Sequence, residues 1–118
     1  MKEELEFFDP RATGGVWRRP EGDATGQLEE LLLALDEETG DFTRLLRFAP
    51  GADTSANGTL THDVWEEVWI VEGELEDLRL GQRFGPGSYA CRPPGMEHGP
   101  WLAPAGATTF EIRYARRL

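Results

Sequence analysis

The chain has 118 residues, of which 22 are acidic and 12 are basic, so its formal net charge is −10 at pH 7. A negative field of this size repels phosphate backbones and anionic lipid surfaces, so we expect no nucleic-acid partner and no membrane partner. A single cysteine excludes an intrachain disulfide and a zinc site built from cysteines. The length suits one domain over residues 1–118, and the polar N-terminus predicts a cytoplasmic protein.

The first third of the chain contains a lead-in and one ambiguous segment. Residues 1–25 are rich in turn-forming residues and predict at most one short strand, around Val16–Arg18. Residues 28–48 show four leucines at helical spacing, yet a turn sequence interrupts them and a strand-like run follows. The residues alone leave two interpretations open, a helix or a hairpin that joins 28–36 to 42–48.

From residue 51 onward the pattern favours short strands. The run "VWIVEGELEDL" is β-branched and aromatic, and a Gly-Pro-Gly turn at 85–87 separates two further strand segments. Near the end, Phe110, Ile112 and Tyr114 alternate with Glu111 and Arg113. Either polar residue can face a ligand on a concave sheet, but exposure on the outer face is the expected position. Strands separated by frequent turns predict an all-β antiparallel sandwich or barrel.

Two stretches with fixed spacings carry the candidate chemistry. In "LTHDVWEEVWIVEG", His62 is followed after three residues by Glu66 and after six more by Gly73. In "GSYACRPPGMEH", the spaced positions are Gly87, Pro93, Gly95 and His98. Both stretches resemble the two motifs of the cupin family, whose fold is a double-stranded β-helix, or jelly-roll barrel. The resemblance favours the hairpin over the helix and places the barrel core at about 26–115.

The resemblance also implies a metal site. The flanking segments are similar to the branch of anti-sigma-factor-like cupins and acetylacetone-cleaving dioxygenases. His62, Glu66 and His98 match the family's metal-ligand positions, whereas Leu60 replaces the usual first histidine and Leu102 replaces the closing asparagine of the second motif. Two histidines and one carboxylate suit a divalent ion such as Fe, Zn, Mn or Ni. The alternative is that metal binding has been lost and a His62–Glu66 hydrogen bond satisfies both groups.

Other side chains are candidates for catalysis and substrate binding. Strict alternation places Glu66 on the same face as Val68 and Ile70. His98 and Glu66 are candidate general bases. Trp101, Tyr89 and Arg92 are candidate substrate-pocket residues; Arg92 suits an anionic group if it points inward, although an arginine at a barrel rim is usually solvated.

Three functions remain open at this stage. The leading one is a metal-dependent small-molecule enzyme, a dioxygenase or carbon–carbon-cleaving enzyme whose diketone-like substrate is implied by the resemblance. The second is a ligand-sensing or ligand-binding cupin, with or without a metal ion. The third is a non-redox isomerase or lyase. The resemblance also implies a homodimer.

Overall fold

The computed structural model describes residues 1–12 and 14–115 and contains two antiparallel sheets. The five-stranded sheet has the order β1-β2-β9-β4-β7, and the four-stranded sheet has the order β3-β8-β5-β6. The strands are β1 Leu28–Leu35, β2 Phe42–Phe48, β3 Ala52–Asp53, β4 Trp65–Gly73, β5 Leu75–Asp77, β6 Gln82–Phe84, β7 Tyr89–Arg92, β8 Trp101–Ala103 and β9 Ala107–Tyr114. The all-β jelly-roll prediction is therefore confirmed, and a 3₁₀ turn at Ser55–Asn57 is the helical element among these described residues.

The ambiguous segment 28–48 is a hairpin. β1 pairs antiparallel with β2 from Leu28 opposite Phe48 to Leu35 opposite Phe42, with one irregularity between Leu32 and Ala34. The leucines at helical spacing are accommodated because side chains on both faces of β1 are covered. Leu28 faces the core cluster, whereas Leu31 lies against Gly15 of the lead-in. The helical spacing of the leucines thus comes from a strand that carries a buried leucine on each face.

The inward side of the large sheet divides into an apolar end and a polar end. At the apolar end, Leu46, Phe48 and Ile70 pack with residues of the small sheet into the hydrophobic core. At the polar end, the inward positions of β1, β2, β4, β7 and β9 carry charged side chains, which are buried in Glu30, Arg44, Glu66, Arg92 and Glu111 and partly buried in Arg113. Each of β1, β2, β4 and β9 therefore runs from core at one end to a charged interior at the other.

This division corrects one prediction. Glu111 was expected on the outer face, but its side chain is buried, and Arg113 is likewise turned inward, with its side chain only 23% exposed. The alternation along β9 was read correctly, but the polar face is the inner one. An alternation of polar and apolar residues shows which side chains share a face of a strand, but not which of the two faces is buried. Here the charged face is the buried one, because its side chains pair with one another instead of facing water.

The structure explains why Gly73, the last residue of the first motif, is a glycine. Gly73 ends β4 with φ = 78°, a conformation that residues with a side chain rarely adopt. A Cβ atom at this position would also lie 2.2 Å from the carbonyl oxygen of Gly106. The chain can therefore pass from β4 of one sheet to β5 of the other at this crossing only with glycine.

The lead-in 1–25 contributes one isolated bridge, between Arg18 and Glu30, where a short strand was considered. Its later part folds back over the polar end of the barrel, where Asp23 accepts hydrogen bonds from Thr25, Gly26 and Asn57. No helix long and apolar enough to span a membrane occurs in the described ranges.

Candidate metal and ligand site

Three segments bring the candidate ligands together. Glu66 lies on β4, His62 lies in the loop before it, and His98 follows β7. Leu60 and His98 form an isolated antiparallel bridge with two backbone hydrogen bonds, of 2.8 and 2.9 Å. The N–H of Gly95 also donates to the His62 carbonyl at 2.7 Å. These backbone contacts hold the two histidine-bearing loops side by side.

The three predicted ligands meet around a common point. The Nε2 atom of His62 lies 3.8 Å from Glu66 Oε2, and the Nε2 atom of His98 lies 3.8 Å from Glu66 Oε1. The ligand atoms all lie within 4.8 Å of one another. The Nδ1 atom of His98 lies 3.3 Å from the Met96 carbonyl oxygen, an arrangement that turns Nε2 toward Glu66.

Glu66 has stronger partners than the histidines. Arg92 donates from Nη1 to Oε1 at 2.6 Å, and Arg113 donates from Nε to Oε2 at 2.5 Å. The register explains this arrangement, because Glu66 stands directly opposite Arg92 on β7 and Arg113 on β9. Inward-facing residues in the same row of adjacent strands are close enough to form such pairs.

The burial of the three candidate ligands and the two arginines beside them determine the protonation states of Glu66, His62 and His98. Burial opposes the ionisation of Glu66, but the charges of Arg113 and Arg92 outweigh burial and lower its pKa to about 2. Burial lowers the pKa of His62, and the nearby Arg113 lowers it further; burial and Arg92 do the same for His98. Glu66 is therefore an anion, and both imidazoles are neutral at neutral pH, which is the form that binds metals.

A second buried charge cluster lies beside the first. Arg44 donates from Nε and Nη2 to Glu111 at 3.0 and 2.7 Å and from Nη1 to Glu30 at 2.7 Å. The hydroxyl of Thr109 donates to the other oxygen of Glu111 at 2.9 Å. Sequence reasoning missed Glu30 and Arg44. The available signal was that each shares an inward face with core residues, Glu30 with Leu28 and Arg44 with Leu46 and Phe48.

Residues of both clusters line a cavity of about 400 Å³. Residues 20–23 of the lead-in also contribute to its lining, together with Leu60, His62, Glu66, His98, Trp101, Arg44, Arg92 and Arg113. Leu60, at the position of the missing histidine, thus faces the cavity with an apolar side chain.

Two of the three predicted pocket residues line this cavity, and one does not. Arg92 points inward, and its guanidinium carbon lies 5.3 Å from the centre of the Trp101 ring. Tyr89 lies on the opposite face of β7, is 58% exposed, and donates a hydrogen bond to Glu67 on the outer surface. Tyr89 does not line this cavity, because residues 89 and 92 are an odd number of positions apart on one strand, as the alternation along β7 predicts. It is instead among the residues that line a smaller cavity next to this one.

The donor set fits a divalent metal ion. The Nε2 atom of His62 is buried and, among the described residues, has no hydrogen-bond partner. The other two ligand atoms, on His98 and Glu66, lie within 4.8 Å of it. Metal–ligand distances of about 2.0–2.2 Å require the three groups to move together by roughly 1 Å. Arg92 and Arg113 compete for the carboxylate, so metal binding requires at least one of them to share or release it.

The comparisons with known proteins agree with this fold. The family model of the ChrR cupin-like domain matches residues 17–114. An RmlC-like cupin from Shewanella frigidimarina is 20% identical, with a TM-score of 0.71, over 98% of this chain and 95% of that chain. An acetylacetone dioxygenase from Acinetobacter johnsonii is 19% identical, with a TM-score of 0.72, over 95% of this chain and 75% of that one.

A third solved structure has a similar fold. The polyketide cyclase RemF from Streptomyces resistomycificus is 16% identical, with a TM-score of 0.73, over 97% of this chain and 82% of that one. No curated protein matches the sequence. At these identities the solved structures establish the cupin fold that the two motifs predicted.

Proposed function

The chain belongs to the ChrR cupin-like family, and we propose that it is a metal-dependent small-molecule enzyme whose metal ligands are His62, Glu66 and His98. The ion is divalent, with Fe, Zn, Mn and Ni as the candidates that suit two imidazoles and a carboxylate. The substrate occupies the 400 Å³ cavity next to these ligands.

One observation carries the proposal. Within residues 1–12 and 14–115, no group forms a hydrogen bond with the buried His62 Nε2 atom, although Glu66 and His98 lie close by. A buried polar atom left unsatisfied costs about 1–3 kcal/mol. A metal ion bound to the neutral imidazole removes this cost, whereas a simple packing role for His62 leaves it in place.

A bound divalent ion would supply a Lewis acid and a template for oxygen ligands. The residues around it supply orientation and charge. The Met96 carbonyl fixes the His98 ring, and Trp101 lies against the Arg92 guanidinium. If Glu66 were to bind the ion, Arg92 and Arg113 would be free to donate hydrogen bonds to an anionic substrate oxygen, so the charges inside the cavity would remain paired.

The substrate and the type of reaction form the second part of the proposal. We propose that the substrate is diketone-like and that the reaction is oxygen-dependent cleavage. The support is the family branch together with the fold shared with an acetylacetone dioxygenase. The guanidinium groups are consistent with this choice, because a β-diketone that has lost its acidic C–H proton is an enolate, which is an anion with two oxygens.

The ion pairs of Glu66 with Arg92 and Arg113 disfavour this residue as a general base in an isomerase or lyase. Its pKa is about 2 because two arginines hold the carboxylate in its ionised form. An efficient general base has a pKa near the working pH. In such an enzyme His98 is the remaining candidate base.

A second candidate function is a metal-free ligand-binding cupin. The observation in its favour is that both oxygens of Glu66 already accept hydrogen bonds from guanidinium groups. In that case the cavity binds a polar organic ligand through the arginines, and His62 accepts a hydrogen bond from the ligand.

Metal analysis separates these functions. We expect about one metal ion per chain after incubation with Fe(II), Mn(II), Zn(II) or Ni(II), with loss of metal in His98→Ala and strong weakening in His62→Ala. Glu67→Gln is the matched control, because Glu67 is next in sequence but on the outer face. Less than about 0.1 ion per chain with every metal overturns the metalloenzyme proposal. For a metal-loaded protein, oxygen uptake with acetylacetone tests the second part of the proposal.

A further inference from the structure

A second, apolar cavity adjoins the polar site. It has a volume of about 170 Å³ and lies where β5 and β6 of the small sheet face β4 and β7 of the large one. Its apolar lining includes Val68, Ile70, Leu75, Phe84, Ala90 and Met96. We call this space the apolar pocket. Since protein interiors contain few voids much larger than a water molecule, a space of this size is a candidate binding site.

The apolar pocket and the polar cavity share a boundary. Arg92, His98 and Trp101 line both spaces. A ligand can therefore place a polar group beside Arg92 and His98 and extend past Trp101 into the apolar pocket. β6 and β7 are the last strands of their sheets, so the apolar pocket opens at the edge of the sandwich, where Leu80 and Met96 are half exposed.

The polar groups at the boundary have donors available for a ligand. Among the described residues, Arg92 donates one hydrogen bond, from Nη1 to Glu66, and its other N–H groups remain. Inside the apolar pocket, by contrast, Asp77 accepts from the backbone N–H groups of Arg79 and Leu80, and Arg79 donates to the Glu97 carbonyl. The apolar pocket can therefore bind an apolar group by packing, whereas Arg92 at the boundary can bind a charged group.

We propose that the ligand of this site is an organic anion with an enolate-type oxygen head and one phenyl-sized apolar group. The head lies at Arg92 and the His62–Glu66–His98 cluster, and the apolar group fills the apolar pocket. A cavity of about 150 Å³ accommodates a benzene ring, so the 170 Å³ available suits one ring and no larger group. The placement of the head rests on the proposed function, whereas the apolar group rests on the apolar pocket itself.

Two diketones with the same head test this proposal. Acetylacetone and 1-phenylbutane-1,3-dione differ in a phenyl group that replaces one methyl group. Binding is measured by calorimetry under nitrogen, with metal content determined on the same samples. We expect the phenyl compound to bind at least about tenfold more tightly to the wild-type protein, because the ring leaves water for an apolar site.

A matched pair of variants localises the effect. Ala90 stands opposite Val68 with both side chains in the apolar pocket, whereas Cys91 stands opposite Glu67 on the outer face. Ala90→Leu should remove the preference for the phenyl compound and leave acetylacetone binding within about twofold, since the head site is untouched. Cys91→Leu adds similar bulk to the same strand and should preserve the preference. If Ala90→Leu fails to fold, Ala90→Val provides a smaller step in the same direction.

The outcomes separate this inference from the proposed function. Equal affinity for the two diketones in the wild-type protein overturns the inference, and so does a preference that survives in Ala90→Leu. If no metal is bound but the phenyl preference is present and is lost in Ala90→Leu, the apolar pocket is established and the metalloenzyme proposal fails.

Discussion

Replacement of Arg44 by methionine should destabilise the protein strongly, because Arg44 neutralises two buried carboxylates. The side chains of Arg44, Glu30 and Glu111 are only 8%, 9% and 7% exposed, so water screens their charges little. Removing one partner of a buried ion pair costs about 3–5 kcal/mol. Here Thr109 still donates to Glu111, and Arg18 remains 3.3 Å from Glu30. We therefore expect the lower end of the range, about 3 kcal/mol.

Thermal unfolding followed by circular dichroism measures this loss. For a domain of this length, about 3 kcal/mol corresponds to a fall of roughly 12 °C in Tm. Adding Glu30→Gln and Glu111→Gln to Arg44→Met should recover more than half of the loss, because neutral side chains no longer need a cation. Arg83→Met is the control. Arg83 is 62% exposed and, in the part of the chain that the structure describes, pairs with Glu74 and Glu76, so this change should cost less than about 1 kcal/mol.

A Tm for Arg44→Met within about 3 °C of the wild-type value, a shift worth less than 1 kcal/mol, would contradict this prediction. A further loss of stability on adding the two glutamine substitutions would contradict it as well. Either result would mean that the polar end of the barrel is hydrated well enough to tolerate unpaired carboxylates.

Three further predictions concern the site and its rim. Leu60→His should tighten metal binding by about tenfold or more in a chelator competition, because it adds a third imidazole to the donor set. Arg113→Gln should also tighten metal binding, since it frees Glu66 Oε2; unchanged affinity would show that Arg113 does not compete. Burial opposes ionisation of Asp23, but hydrogen bonds from Thr25 and Asn57 outweigh it and lower its pKa. In urea unfolding, the wild-type protein should therefore be more stable than Asp23→Ala by its full margin at pH 7, and this difference in unfolding free energy should shrink below about pH 4. A difference that does not change with pH would contradict this prediction.

The sequence was sufficient for the fold and for the three candidate metal ligands. Motif spacing identified His62, Glu66 and His98, and the structure brings their ligand atoms together. Alternation along β4 correctly placed Glu66 on the inner face with Val68 and Ile70. These features depend on local spacing, which a sequence displays directly.

The charged interior was not predictable in the same way. The pairs of Glu66 with Arg92 and Arg113 depend on the register of three strands that are far apart in the sequence. The pattern of β9 was read with its polar face outward, because an outward polar face is the usual case for a half-buried strand. Recognising the inverted face requires the knowledge that Glu111 has a cationic partner, Arg44, on the neighbouring strand.

The most direct test of the metal site is anomalous diffraction from crystals soaked in Mn(II) or Zn(II). The proposal predicts one strong peak at about 2.0–2.3 Å from His62 Nε2, His98 Nε2 and a Glu66 oxygen, with at least one arginine displaced from the carboxylate. Peaks confined to surface carboxylates, with Arg92 and Arg113 still bound to Glu66, would contradict it and favour the metal-free binding protein.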